Sequence, residues 1–343
     1  MTPLQYIARR LLLAIPTFIG ITLLCFALTR LLPGGPVEMR LARLKGIGGA
    51  SGTLATTTIA ETQRQELNRQ FGFDQPFLVQ YTRWLVKDLA GLRMPSYDYP
   101  DRTAWQLIRA RIPVSCIFGL AGFLLSYAIC IPLGLARGMR PNTPFDWASG
   151  LIVLTAYAIP PLTLAMILKT LFCGTVDTFW NILPLSGAAS ATLPPEATAW
   201  TLFKDRIAHM VLPVACYVAG NFAVLTLLMR NSVVEQISAD YLRTAIAKGS
   251  SRRRAVWHHA LRNSLIPIAT GFGSILGVLF AGSVIVETVF ELPGMGRLSL
   301  EALASHDYAV FLAILSLTSI LQLAGNLLSD VCYMLIDPRI RFD

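Results

Sequence analysis

Catalysis or ligand capture requires nucleophiles, acids, bases or metal ligands at spacings that bring them together, and this 343-residue chain offers few such sets. His258 and His259 are adjacent, so on a helix they point in different directions, while His209 and His306 stand apart. These four do not compose a metal site. Cys25, Cys116, Cys130, Cys173, Cys216 and Cys332 lie in or beside apolar stretches without CxxC or Cys/His spacing, and read as small buried hydrophobes. The patterns GxxxxGKS/T, HExxH and GxSxG are absent, so any ATP used with this chain is hydrolysed by another polypeptide. Lys169, Glu287 and Asp330 sit at the edges of apolar stretches, where a charged group snorkels or caps a helix. Asn221 and Asn326 lie deeper, where an amide either hydrogen-bonds between helices or lines a polar path. The expectation is a chain with no catalytic, cofactor-binding or metal-binding residue.

The solvent of the chain follows from its composition. Only 14% of residues are charged and 54% are hydrophobic, with a mean hydropathy of +0.56, against about 25% charged in soluble domains. A bilayer core about 30 Å thick is crossed by roughly 20 residues of helix. Six uncharged stretches suffice, at 11–29, 112–136, 147–168, 210–229, 264–286 and 308–329. The uncharged segment 178–195 is interrupted by Pro184, Gly187, Pro194 and Pro195 and reads as a loop or short re-entrant turn. The stretch at 11–29 runs into Arg30, Leu31, Leu32 and Pro33 without a small-residue cleavage site, and is expected to remain as a helix.

Lys and Arg exceed Asp and Glu by 29 to 20. Such an excess in a membrane protein concentrates in cytoplasmic loops, and nucleic-acid binding is not implied. Arg9 and Arg10, then Arg137 and Arg140, then the seven Lys and Arg residues of 230–262 fall on one side. Both termini are therefore expected in the cytoplasm. The expected organisation is an N-terminus and first span at 1–32, an extracytoplasmic insert at 33–111, a core at 112–336, and a tail at 337–343. The core holds helices at 112–136, 147–169, 209–229, 264–287 and 308–336 and a cytoplasmic loop at 230–263. Within the insert, a Gly/Ser/Thr-rich run at 46–58 precedes two amphipathic helices at 59–71 and 80–89, the second with Tyr81, Trp84, Leu85 and Asp88 at helical spacing.

The loop at 230–267 is the most informative part. Val234, Ile237, Tyr241 and Ala245 recur at helical spacing up to Lys248, Gly249 suits a left-handed helix stop, and Ser250 or Ser251 suits the next N-cap. A second arm opens with Arg252, Arg253 and Arg254 and ends at Asn263, ahead of Pro267.

Asp240-Tyr241-Leu242-Arg243-Thr244-Ala245-Ile246-Ala247-Lys248-Gly249 and His259-Ala260-Leu261-Arg262-Asn263-Ser264-Leu265-Ile266-Pro267 resemble the coupling loop of the dipeptide/oligopeptide/nickel branch of binding-protein-dependent permeases. Further similarities follow in order: Arg9-Arg10-Leu11-Leu12 to Pro16-Thr17, Leu32-Pro33-Gly34-Gly35-Pro36, Phe71-Gly72-Phe73-Asp74-Gln75-Pro76, Ile131-Pro132-Leu133-Gly134, Pro293-Gly294-Met295-Gly296 and Asp337-Pro338-Arg339-Ile340. The resemblance implies an all-helical integral membrane protein of six transmembrane helices with the type I ABC importer permease fold, in the bacterial inner membrane. It also implies a homologous second permease, two ATPase subunits that carry the ATP, an extracytoplasmic solute-binding protein and a peptide or peptide-like substrate. Ile237, Asp240, Tyr241, Arg243, Thr244, Ala245, Lys248, Gly249, Arg252 and Arg253 would form the ATPase-coupling loop. Arg243-Thr244-Ala245 replaces the general Glu-Ala-Ala, as is usual in the peptide branch, and His306-Asp307-Tyr308-Ala309 stands where Arg-Asp-Tyr-Pro is common. With the Gly/Ser/Thr-rich run, these features are most similar to the branch associated with microcin C and cell-wall or antimicrobial peptides. A secondary transporter or channel would need inverted repeats or a buried charge relay. An intramembrane enzyme would need a nucleophile and base at one depth, and neither pattern is visible.

Overall fold

The computed structural model describes residues 3–31, 65–66, 69, 74–89, 91, 94–99, 101–174, 180–190, 194, 197–269, 271 and 283–336. The described helices are α1 (Pro3–Leu31), α2 (Phe77–Arg83), α3 (Ala104–Gly138), α4 (Pro144–Ala158), α5 (Pro161–Phe172), α6 (Ala199–Ser238), α7 (Asp240–Ala247), α8 (Arg252–Ala255), α9 (Leu261–Ser264), α10 (Val284–Val289), α11 (Met295–Ala304) and α12 (Tyr308–Ile336). Among the described residues β pairing is limited to two isolated bridges, Pro95 with Thr103 and Cys173 with Asn181. Helix dominates because hydrocarbon offers no partner to an unpaired amide, and a helix satisfies its own.

Among the described residues four helices are long and apolar enough to cross a membrane, at Gln5–Leu31, Ala104–Gly138, Ala199–Ser238 and Tyr308–Cys332. The stretch at 147–169 is not the single helix its composition predicts: α4 and α5 meet at 96°. Pro160 and Pro161 lack the amide hydrogens a continuous helix needs, and Ile159 before them is extended, with φ −84° and ψ 118°. The pair counts as a broken span or a re-entrant turn. Most of 264–286 lies outside the described residues, as do the run at 46–58, most of the helix expected at 59–71, and the tail at 337–343. The helix expected at 80–89 begins at Phe77 as α2 and continues from Trp84 to Leu89 as a π-helical turn.

The chain divides into two compact units. One comprises Met1–Arg10, Ile112–Arg297 and Leu321–Asp343. In it α3 packs against α6 through small residues at every fourth position: Gly122, Ser126, Cys130, Gly134 and Gly138. A Cβ on Gly122 would enter the ring of Tyr217, one on Gly134 would lie 2.6 Å from Met229 Cβ and 2.8 Å from the Thr226 carbonyl oxygen, and one on Gly138 would lie 2.6 Å from Val233 Cβ. Small residues let membrane helices approach closely enough for dispersion to hold them. Leu135, Met229, Val233 and Ile268 form a buried cluster beside this seam.

In the same unit Glu287 is fully buried. Its carboxylate accepts from the Ser115 hydroxyl at 2.9 Å and the Arg297 N–H at 2.9 Å, while the Ser115 oxygen accepts the Met295 N–H at 2.7 Å. Glu287 therefore does not snorkel; it caps the start of α11 from a distance. Gly294 is required beside it, because a Cβ there would strike the carboxylate. Lys169 donates to the Val289 carbonyl at 2.8 Å, and Asp330 accepts from Tyr6 at 3.2 Å and pairs with Arg10 at 3.2 Å.

The other unit comprises Leu11–Arg111 and Leu298–Ile320. Phe26 of α1 is buried among Phe77, Tyr81 and Trp84, at centroid distances of 5.6, 5.7 and 5.5 Å. Thr22 and Tyr81 hydroxyls lie 2.9 Å apart. Asp307 caps α12 through the Val310 N–H at 3.2 Å and also accepts from the Ser96 hydroxyl and from the Asp98 N–H at 3.3 Å.

The α3–α6 seam is directly testable. Gly134→Val must push into backbone and is expected to cost about 1–3 kcal/mol, read as a lower thermal midpoint in detergent. Gly220→Ala, with nothing within 4 Å, is expected to leave the midpoint unchanged or raised. An unaltered midpoint for Gly134→Val would show that the seam does not hold the helices together.

Candidate functional site

The loop predicted to carry function begins on the longest described helix. α6 continues for 40 residues to Ser238, well past the apolar stretch at 210–229. Ala239, extended at φ −72° and ψ 144°, then turns the chain into α7. The sequence periodicity over Val234, Ile237, Tyr241 and Ala245 suggests one helix, but the break at Ala239 resets the register. Leu242, not Tyr241, is the residue buried, at 2% exposure, with Ala255, Val256 and Ala260. Ile237 and Ala245 pack against that cluster. They position α7 and do not belong to its outer face.

The outer face carries Asp240, Tyr241, Arg243, Thr244, Ile246, Ala247 and Lys248, all exposed. Tyr241 donates to Gln236 Oε1 at 2.7 Å and Thr244 to the Asp240 carbonyl at 3.0 Å. Arg243 lies 3.6 Å from Asp240, with both side chains largely in solvent, and such a pair adds little to stability. α7 ends where Gly249 takes φ +93°. Its N–H bonds the Ile246 carbonyl at 2.9 Å and that of Ser250 bonds the Ala245 carbonyl at 3.1 Å, the paired bonds of a glycine-terminated helix. Ser251 opens the second arm, accepting the Ala255 N–H on its carbonyl at 2.9 Å and the Arg254 N–H on its hydroxyl at 3.4 Å. The arm continues through α8, a π-helical turn at Val256–Ala260, and α9. The side chains of Arg252 and Arg253 lie outside the described set.

Sequence reading missed a charged clamp close to this loop. Arg137 at the end of α3, Asp146 in the first turn of α4 and Arg230 near the end of α6 converge: Arg137 Nε lies 3.0 Å from Asp146 Oδ1, and an Arg230 terminal nitrogen 2.6 Å from Oδ2. The Asn142 N–H donates to Oδ2 at 3.2 Å. Arg137 and Asp146 side chains are 5% and 6% exposed. A Cβ on Gly150 would lie 2.7 Å from the Arg137 guanidinium. Asp146 stands one residue before the apolar stretch that starts at Trp147. The available signal was three opposite charges, each at an end of an apolar stretch.

Among the described residues, Asn221 and Asn326 bond along their own helices and not between helices. Asn221 donates to the Tyr217 carbonyl at 3.1 Å, and Asn326 accepts from Gln322 at 3.2 Å, each along its own helix. Asn326 and Gln322 are exposed on α12, whereas Asn221 is partly buried.

Residues 130–342 match the family described as "Binding-protein-dependent transport system inner membrane component". The peptidoglycan transport system permease protein YejB of Agrobacterium fabrum (strain C58) is 34% identical over 364 residues, covering 98% of both chains. The inner membrane ABC transporter permease protein YejB of Escherichia coli O157:H7 is 31% identical over 365 residues, and the dipeptide transport system permease protein DppB of Escherichia coli K12 is 33% identical over 356. Each alignment covers 98% of this chain and 99% of the relative. A match spanning α4 to α12, on a chain of long apolar helices joined by an ordered, exposed loop, has one consequence: the chain belongs to the family of binding-protein-dependent transport system inner membrane components and is a transport permease.

Proposed function

We propose that this permease is a six-span subunit of an ATP-driven importer of peptides or peptide-like solutes, in which α7 docks on an ATPase subunit. The observation that carries the reading is the construction of α7. Its exposed face is mixed aromatic, apolar and charged, while Leu242 fixes the inner face against the second arm. A helix held this way passes a displacement to α6, which it follows after one extended residue. ATP-driven closure of two ATPases would pull 237–254, tilt the fourth and fifth spans and open the cavity outward, and hydrolysis would reset it. ATP drives this only by binding one of the two states more tightly.

Parity supports six spans. Asp330 near the end of α12 pairs with Arg10 and Tyr6 near the start of α1, which supports both ends lying at one membrane face and an even number of crossings. Four long helices and the bent α4–α5 pair give five. The uncharged stretch at 264–286 supplies a sixth, provided the bent pair crosses. Positive loops place the shared face in the cytoplasm, and 33–111 is then an extracytoplasmic insert that braces the spans or receives the solute-binding protein. The exposed Gln322–Asn326 pair within an apolar helix suits a homologous second permease or an aqueous path better than lipid. The relatives named for peptidoglycan and dipeptide transport favour peptide-like cargo, including the cell-wall and antimicrobial-peptide branch. ATP belongs to the partner subunits.

At Gly249 a Cβ would meet nothing within 4 Å, so substitutions act through the backbone alone. Gly249→Val is expected to strain the turn by about 1–3 kcal/mol and abolish ATP-dependent uptake, while Gly249→Asn, tolerant of positive φ, retains most of it. Equal uptake by both variants would remove the turn from the mechanism. Asp146→Asn leaves Arg137 buried beside an uncharged partner. The cost approaches about 3–5 kcal/mol, and both the detergent thermal midpoint and uptake should fall, with ATP hydrolysis by the assembled importer persisting. Unchanged uptake would show that the clamp plays no part in coupling. The assembly itself is tested by purifying the tagged chain in mild detergent and identifying what remains bound. A second permease and two ATPases are expected; a chain recovered alone that moves solute without ATP would overturn the proposal.

A further inference from the structure

A cavity of about 550 Å³ lies within the unit of Leu11–Arg111 and Leu298–Ile320. Its wall is made by Phe18 of α1, Leu85 and Leu89 of the π-helical turn, Trp105 and Ile108 of α3, and Leu317 of α12. The volume falls within the range of about 300–1,000 Å³ typical of small-ligand sites. Asp88 is the one charged residue among the described residues of the wall. Ser316, also on the wall, donates its hydroxyl to the Leu312 carbonyl at 2.8 Å, so that donor is already used. Burial pushes the Asp88 carboxyl up, against a smaller opposing effect of Arg83 and Lys87.

The short helix above Asp88 in sequence adds an independent feature. Leu78 and Val86 are 66% and 67% exposed, and Arg83 and Lys87 are also exposed on the same stretch. Uncovered aliphatic side chains interleaved with cations are the pattern of a helix lying in the membrane interface. Phe18, Ala313 and Leu317, by contrast, belong to stretches apolar enough to cross the bilayer. The cavity is thus bounded by membrane-crossing helices and by a helix suited to the headgroup layer. An apolar chain fits such a cavity, a phosphate fits Arg83 and Lys87, and the Asp88 carboxylate on the wall can accept an ammonium. Among bilayer components an aminophospholipid supplies all three.

We propose that residues 77–89, with α1, α3 and α12, bind one zwitterionic aminophospholipid, whose acyl chain enters the cavity, whose phosphate meets Arg83 and Lys87, and whose ammonium meets Asp88. Its placement in the outer leaflet rests on the orientation proposed above; the binding itself does not. The lipid would fix the insert to the spans without taking part in transport chemistry.

The test is native mass spectrometry of the full chain, purified with whatever partners it retains, during titration with phosphatidylethanolamine and phosphatidylglycerol of identical acyl chains. One phosphatidylethanolamine is expected to bind about tenfold more tightly than phosphatidylglycerol. Asp88→Asn should erase that preference, and Ile108→Trp, which fills the cavity, should remove binding of both. Should Ile108→Trp fail to yield folded protein, Leu317→Phe fills the same space from α12. Equal affinity for the two lipids, or binding indifferent to both Asp88→Asn and cavity filling, would overturn the site. Displacement of the lipid by a dipeptide would also overturn it, assigning the cavity to transported solute. The readout needs neither ATP nor uptake, so its failure is distinct from failure of the importer reading.

Discussion

A backbone amide in hydrocarbon has no partner outside its own helix, and the mechanical character of this permease follows from that restriction. The crossing segments are stiff rods because any interior break would strand polar groups. α6 illustrates the result, running unbroken from Ala199 to Ser238 through Pro213. Among the described residues the chain bends where the chemistry forces or permits it, as at Pro160–Pro161 between α4 and α5, the extended Ala239, and Gly249 at φ +93°. On the proposed coupling role, force applied at α7 crosses the single extended residue Ala239 to reach α6.

The same restriction governs the buried charges. Asp146, Glu287 and Asp307 are 5%, 0% and 2% exposed, and each stands at the start of a helix or accepts N–H groups from one. Backbone dipoles at those positions favour a negative charge. Asp146 differs in also facing Arg137 and Arg230, which ties α3, α4 and α6 into one block beside the loop that leads into α7. The α3–α6 seam serves the same end, since glycines bring the two backbones into close contact along α3. The loop proposed for coupling is thus mounted on a block whose parts are fixed to one another.

Much of this was legible in the sequence because membrane helices announce themselves by length and apolarity alone. Gly249 was legible as a helix stop because few residues take positive φ without strain. The break in the stretch at 147–169 carried a visible signal, Pro160–Pro161, that overall hydropathy outweighed. The inner residue of α7 was not legible for a different reason: periodicity averages over a turn, and one extended residue at Ala239 suffices to send Leu242 inward and Tyr241 outward. Long-range partners were not legible. Arg137, Asp146 and Arg230 are separated by 9 and 84 residues, and only the close approach of α3, α4 and α6 brings them together. Glu287 looked like an edge residue because its partners, Ser115 and the N–H of Arg297, are assembled by the fold.

The central claim is that the exposed face of α7 meets an ATPase subunit. A photo-crosslinking amino acid in place of Tyr241, whose hydroxyl donates to Gln236 from the exposed face of α7, would test it in the assembled importer. The account predicts a crosslink to the ATPase whose yield changes with bound nucleotide. A crosslink only to lipid or to the second permease, in a complex that still contains both ATPases and hydrolyses ATP, would contradict it.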